Sequence, residues 1–182
     1  MEDGSFYPEP LPKGRWGKAP LAAVLMRGPF IEAVRVGEIT VDGLDATEVL
    51  LELLRELRFD VVMLGGVSFA GFNLVDAWEV YRSYGRPVVV VSRKRPDNEA
   101  VKRALMRHFE DWAERWNIVR RLGKIRSVET FPGEPPIHFE VVGATAGWAE
   151  RVLKGYAAVC RVPEPVRVAR IVARGVSRPP GG

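Results

Sequence analysis

Two acidic residues, Asp42 and Asp45, follow an apolar strand-like segment and are separated only by Gly43 and Leu44. Carboxylates this close can share a divalent cation, because magnesium takes oxygen ligands and keeps several waters. Asp is also common in turns and at helix N-termini. The sequence therefore leaves Asp42 open as a ligand or a turn former, and favours Asp45 as a helix cap with Glu48 as its partner.

A loop of small residues follows the next apolar segment and contains Gly65, Gly66, Ser68 and Asn73. Such a loop lets a phosphate approach the backbone closely. It lacks the Gly-Lys-Ser/Thr ending of a P-loop, and its glycines do not fit the dinucleotide fingerprint. We predict that these four residues contact nucleic acid, although a helix cap is the more common role for a residue placed as Asn73 is.

A basic cluster ends the following apolar segment, with Arg93 and Lys94 directly after Ser92. Cations at a strand end suit a phosphate backbone, and a solvated surface cluster is the alternative. The net charge of +4 permits binding to nucleic acid but does not establish it. Cys160 is the single cysteine, which excludes an intramolecular disulfide and fits the cytoplasm. No apolar run approaches the length of a membrane span, so we expect no membrane partner.

The order of elements predicts one α/β domain over residues 1–182. Residues 1–20 read as an extended arm, residues 21–41 as a hairpin, and residues 176–182 as a disordered tail. Between them we predict helices over 45–57, 72–84, 96–122 and 144–159, one more from Pro163, and strands over 60–64, 87–92, 125–130 and 137–142.

Five segments together resemble the archaeal endonuclease dU family, which is related to endonuclease V. They are residues 2–6 (Glu-Asp-Gly-Ser-Phe), 41–47 (Val-Asp-Gly-Leu-Asp-Ala-Thr), 64–76, 104–109 and 161–170. The resemblance implies a ribonuclease-H-like mixed sheet flanked by helices. It also implies magnesium-dependent cleavage of damaged DNA near a deaminated base, with Asp3 and Asp42 as catalytic residues. Asp3, Asp42 and Asp45 are then the expected metal ligands.

The chain departs from the family pattern at three places. Gly65 stands where endonuclease V has an acidic residue, and Arg170 stands where the relatives have histidine. The first central strand is missing before Glu2, and we hypothesise that the true start lies upstream of Met1. A non-catalytic nucleic-acid-binding module that kept the fold is therefore the alternative function. A small-molecule phosphate enzyme that uses the glycine loop is a third.

Overall fold

Strands at the centre and helices on both sides make up the described part of the chain, residues 1–4 and 17–177 of the computed structural model. In chain order the elements are β1 (Glu2–Asp3), β2 (Lys18–Arg27), β3 (Phe30–Thr40), α1 (Ala46–Leu54), β4 (Val62–Leu64), β5 (Ser68–Phe69), β6 (Asn73–Leu74), α2 (Ala77–Tyr84), β7 (Val88–Ser92), α3 (Asn98–His108), α4 (Trp112–Arg121), β8 (Arg126–Val128), β9 (Ile137–Val142), α5 (Ala146–Tyr156) and α6 (Glu164–Gly175).

Two sheets meet at the first residues of the chain. The antiparallel sheet has the order β1-β2-β3, and the mixed sheet has the order β4-β7-β9-β8 with β4 parallel to β7. The amino group of Met1 donates to the Met63 carbonyl at 2.7 Å, and the Gly65 amide donates to the Met1 carbonyl at 3.0 Å. The start of the chain therefore lies between β2 and β4 and connects the two sheets.

The expected extended arm is wrong at both of its described ends, because Glu2–Asp3 and Lys18–Pro20 pair in strands. Residues 5–16 of the predicted arm lie outside the described residues. The first strand, which the sequence analysis took to be missing, is present but short, since Glu2–Asp3 pairs with β2. A cleft lined partly by Leu25, Leu50 and Val62 extends from Met1 between β2 and β4.

The core lies on both faces of the sheets. One cluster packs α1 and α2 against β2, β4 and β7, and a second packs α5 against β7 and β9. The four consecutive valines of β7 are buried because both faces of that strand are covered. Helix α6 packs across β1 and β2. Among the described residues, no helix is long and apolar enough to cross a membrane.

All four helices predicted with both bounds were too long, and the structure gives the reason for two of them. The helix expected over 72–84 begins only at Ala77, because Asp76 caps it by accepting from the amides of Trp78 and Glu79. The residues before Asp76 form the β5–β6 hairpin, whose turn uses positive φ angles. The helix expected over 96–122 is divided into α3 and α4 by the extended Phe109. Of the predicted tail, residues 178–182 lie outside the described residues.

Glu140 on β9 is a buried carboxyl group with 4 % exposure, and burial raises its pKa from 4.5 to about 7. Because this folded-state pKa lies above the unfolded value, the neutral Glu140 carboxyl group makes its full contribution to stability below pH 4.5. That contribution is lost as the pH rises through about 7. A pKa difference of that size corresponds to about 3 kcal/mol in the free energy of unfolding.

We expect Glu140→Gln to raise the free energy of unfolding at pH 8 relative to the native chain, and to raise it much less at pH 5. Urea titrations at both values measure this, with the exposed Glu129→Gln as control. An equal effect at both pH values would contradict the assignment.

Candidate functional site

The ends of β1, β4 and β7 meet helix α6 in one open cleft, which we call the strand-end cleft. It is lined by Glu2, Asp3, Gly4, Gly65, Arg93, Arg170 and Arg174. Met1 hydrogen-bonds to β4 and leads directly into β1, so these two strands lie side by side, and β7 pairs with β4. The polar residues at the ends of the three strands therefore collect at one edge. The structure thus brings the predicted residues Asp3, Gly65 and Arg93 together.

Two carboxyl groups face this cleft. An oxygen of Asp3 accepts a hydrogen bond from the Ala70 amide at 2.6 Å, and burial raises the pKa of Asp3. Burial also raises the pKa of Glu2, to about 7, against the opposing effects of the buried amino terminus, Arg93 and Arg174. Glu2 is a site residue that the sequence analysis missed. Its position next to Asp3 was the available signal.

The Glu2 side chain covers the backbone of Gly65. A Cβ atom at position 65 would overlap the Glu2 carboxyl group. The absence of a side chain at Gly65 therefore allows Glu2 to occupy this space, and a carboxylate at position 65 would require Glu2 to move.

Three guanidinium groups line the other part of the cleft. Arg93 and Arg174 are exposed and Arg170 is half-buried. Within the described residues, none of the three forms a salt bridge. Arg170 and Arg174 are four residues apart on α6, which places them on one helical face. That spacing was a signal in the sequence, but only the fold shows that it faces Arg93.

Asp42 and Asp45 lie in a second cleft, which we call the aromatic cleft. Phe72 and Phe109 meet there edge to face, with ring centroids 5.5 Å apart. The turn of the β5–β6 hairpin separates Asp3 from Asp42, because Ala70 donates to the Asp3 carboxylate and accepts from the Asp42 amide. The expected grouping of Asp3, Asp42 and Asp45 in one cleft is therefore not found.

Asp42 acts as a turn former in this structure. Its φ is +57°, a left-handed conformation that Asp tolerates better than most residues. Its carboxylate accepts from the Phe72 amide at 2.8 Å, which ties the turn after β3 to the hairpin.

The partly exposed Asp45 and the buried Asn73 form a hydrogen-bond network. The Asp45 carboxylate accepts from the Thr40 hydroxyl at 2.6 Å and from the Asn73 side chain at 2.5 Å, and it makes no cap bond to α1. The Asn73 side chain accepts from the Ala46 amide instead, at 3.0 Å. The predicted capping box of Asp45 with Glu48 is therefore wrong. Asn73 is fully buried, so its predicted contact with nucleic acid does not fit the structure.

The remaining predicted contacts, Gly66, Ser68 and Lys94, line neither of the two clefts. Gly66 follows Gly65 with φ +141°, and the exposed Ser68 hydroxyl donates to the Gly71 carbonyl. Lys94 is exposed directly after Arg93. The amides of Ala70 and Phe72 are already bonded to carboxylates, so the loop does not offer them to a phosphate as the third hypothesis required.

Arg115 is a buried residue whose role the sequence did not reveal. Its guanidinium donates to the carbonyls of Gly43 at 2.9 Å and Phe72 at 2.7 Å, pairs with Asp111 at 2.8 Å and stacks on Phe109. Only the four-residue spacing from Asp111 hinted at any partner. Arg115 connects α4 to both turns that bear on Asp42.

Magnesium is the metal that the family resemblance implies. Within residues 1–4 and 17–177, no group of three or more His, Cys, Asp or Glu side chains could hold a metal ion. The carboxylates of Asp42 and Asp45 accept hydrogen bonds in the aromatic cleft, and Asp3 shares its cleft with three arginines, which disfavour a nearby cation. These residues do not fit a magnesium ion held by the protein alone.

Solved structures define the class of fold. The structure is similar to endonuclease V of Ciona intestinalis in complex with a 24mer DNA containing an inosine, with a TM-score of 0.57 and 15% identity over 92% of this chain and 80% of that one. Human endonuclease V gives a TM-score of 0.56 and 17% identity over 90% and 79%. At these identities the likeness concerns the fold, which is the ribonuclease-H-like fold of endonuclease V.

Closer relatives identify the family. The chain matches the family described as Endonuclease dU over residues 2–177 and belongs to it. A UPF0215 protein of Pyrococcus furiosus is 38% identical over 183 residues, covering 98% of this chain and 90% of the relative. One of Methanosarcina mazei is 38% identical over 161 residues, covering 86% and 82%. A protein of unknown function from Archaeoglobus fulgidus has a TM-score of 0.81 and 32% identity over 98% of both chains.

Proposed function

We propose that the protein binds nucleic acid at the strand-end cleft through the phosphate backbone. The observation that carries this proposal is the meeting of Arg93, Arg170 and Arg174 in one open cleft at the strand ends. A planar guanidinium can bind two oxygens of one phosphate at once, which suits contacts with the phosphate backbone. The net charge of +4 and the DNA bound to a protein of the same fold support the proposal.

Salt dependence tests this function directly. If three phosphates are contacted, the affinity for a fluorescent DNA duplex falls about 40-fold between about 50 and about 200 mM salt. Fluorescence anisotropy measures the affinity. Binding that does not change over this range, or no binding at the lower salt concentration, would contradict the proposal.

Cleavage of DNA beside a deaminated base is a second candidate function, with magnesium as the cofactor that the family resemblance implies. The observation that favours it is the position of Asp3 at the end of β1, inside the cleft and next to the end of β4. A carboxylate there can orient or deprotonate a water molecule beside a phosphodiester held by arginines.

The Asp3→Asn variant tests the second candidate. We expect it to reduce cleavage of duplexes containing deoxyinosine or deoxyuridine by about 100-fold while DNA binding is retained. Denaturing gels with added magnesium measure cleavage, and anisotropy measures binding. Asp42→Asn is the comparison from the aromatic cleft, and we expect it to cleave as the native chain does. No cleavage by the native chain would leave the binding function alone, whereas equal cleavage by Asp3→Asn would remove Asp3 from the reaction.

A further inference from the structure

We propose that the strand-end cleft binds a phosphate group directly through Arg93, Arg170 and Arg174, with no metal ion between protein and phosphate. This inference rests on the proposed nucleic-acid binding and names the group that is recognised. The phosphate can be a diester within a strand or the monoester at its end, because both present the same oxygens to a guanidinium.

Convergence of two elements makes this a built cleft rather than a charged surface. Arg93 comes from the end of β7, whereas Arg170 and Arg174 come from one face of α6. All three line the same opening, and none has a carboxylate partner within the described residues. No carboxylate of residues 1–4 and 17–177 therefore competes with an anion for their donors.

Glu2 distinguishes direct binding from metal-mediated binding. Its carboxyl group lies over Gly65 and lines the same cleft as the arginines. In direct binding a carboxylate repels the incoming phosphate and competes for the guanidinium groups, so its removal strengthens binding. In metal-mediated binding the same carboxylate attracts the metal, so its removal weakens binding. The two modes thus predict opposite effects of one substitution.

The experiment measures binding in the presence of EDTA at pH 8, where most of Glu2 is ionised despite its raised pKa. The probes are inorganic phosphate, by calorimetry, and a single-stranded DNA with or without a 5′-phosphate, by anisotropy. We expect the native chain to bind in EDTA, each of Arg93→Ala, Arg170→Ala and Arg174→Ala to bind about tenfold more weakly, and Glu2→Gln to bind about threefold more tightly. Arg151→Ala, at an exposed arginine of α5 outside the cleft, is the matched control and should bind as the native chain does.

Each outcome decides a separate question. Binding that requires added magnesium and weakens in Glu2→Gln would overturn the inference. DNA binding that is equal in the native chain and the three arginine variants would also overturn it, while leaving nucleic-acid binding in place at another surface. Phosphate binding that depends on the arginines, without any DNA binding, would support the cleft and contradict the proposed function. Tighter binding of the DNA that carries a 5′-phosphate than of the DNA without one would identify the monoester as the ligand. Melting curves verify that each variant is folded.

Discussion

Replacement of Arg115 by methionine is expected to lower the free energy of unfolding by about 3 kcal/mol. The buried guanidinium bonds the carbonyls of Gly43 and Phe72 and pairs with Asp111. Methionine keeps much of the packing volume but leaves these acceptors without their donor, and an unsatisfied buried acceptor costs more than the lost bond itself. The effect should therefore be far larger than that of an ordinary surface substitution.

Urea unfolding of Arg115→Met and of Arg120→Met provides the comparison. Arg120 lies on the same helix and is exposed, so its replacement should change the free energy by less than about 0.5 kcal/mol. Similar small effects in both variants would show that the bonds of Arg115 contribute little. A large effect would also support a role of α4 in stabilising the turn after β3 and the β5–β6 hairpin, which Arg115 contacts.

Replacement of Asn73 by leucine is expected to cost about 3 kcal/mol as well. The side chain is fully buried, accepts from the Ala46 amide and donates to the Thr40 carbonyl at 2.8 Å and to Asp45. Leucine has a similar size but can make none of these bonds. The first turn of α1 then loses the acceptor that caps it.

Hydrogen exchange at the Ala46 amide, together with the melting temperature, measures the effect of Asn73→Leu. Exchange at this amide should become much faster than in the native chain, and the melting temperature should fall. Asn117→Leu is the matched control, because Asn117 is exposed on α4. Unchanged exchange at Ala46 would contradict the capping role of Asn73.

Local patterns predicted much of the fold. The valine run of β7 and the apolar segment of β4 predicted buried parallel strands. The turn residues between β2 and β3 predicted their hairpin. The β5–β6 hairpin was missed because its strands have two residues each, too few for a period to appear. Strand β1 was missed for a related reason, since its position depends on backbone bonds of Met1 to residues more than 60 positions away.

The candidate site was predictable only where a residue's role depends on its neighbours in sequence. Gly65 and Arg93 each follow a strand, so a common edge of the sheet could be expected for them, whereas only the family resemblance pointed to Asp3. Asn73 and Arg115 gave no such signal, because their partners come from distant elements. The same limitation explains why Asp45 read as a cap although its bonds go to Thr40 and Asn73.

The salt dependence of DNA binding by the triple variant Arg93→Ala/Arg170→Ala/Arg174→Ala tests the central claim most directly. If these arginines hold the phosphate backbone, the slope of the logarithm of the association constant against the logarithm of salt concentration should become less steep by about 3 relative to the native chain. An unchanged slope in a folded triple variant would show that nucleic acid is not bound at the strand-end cleft.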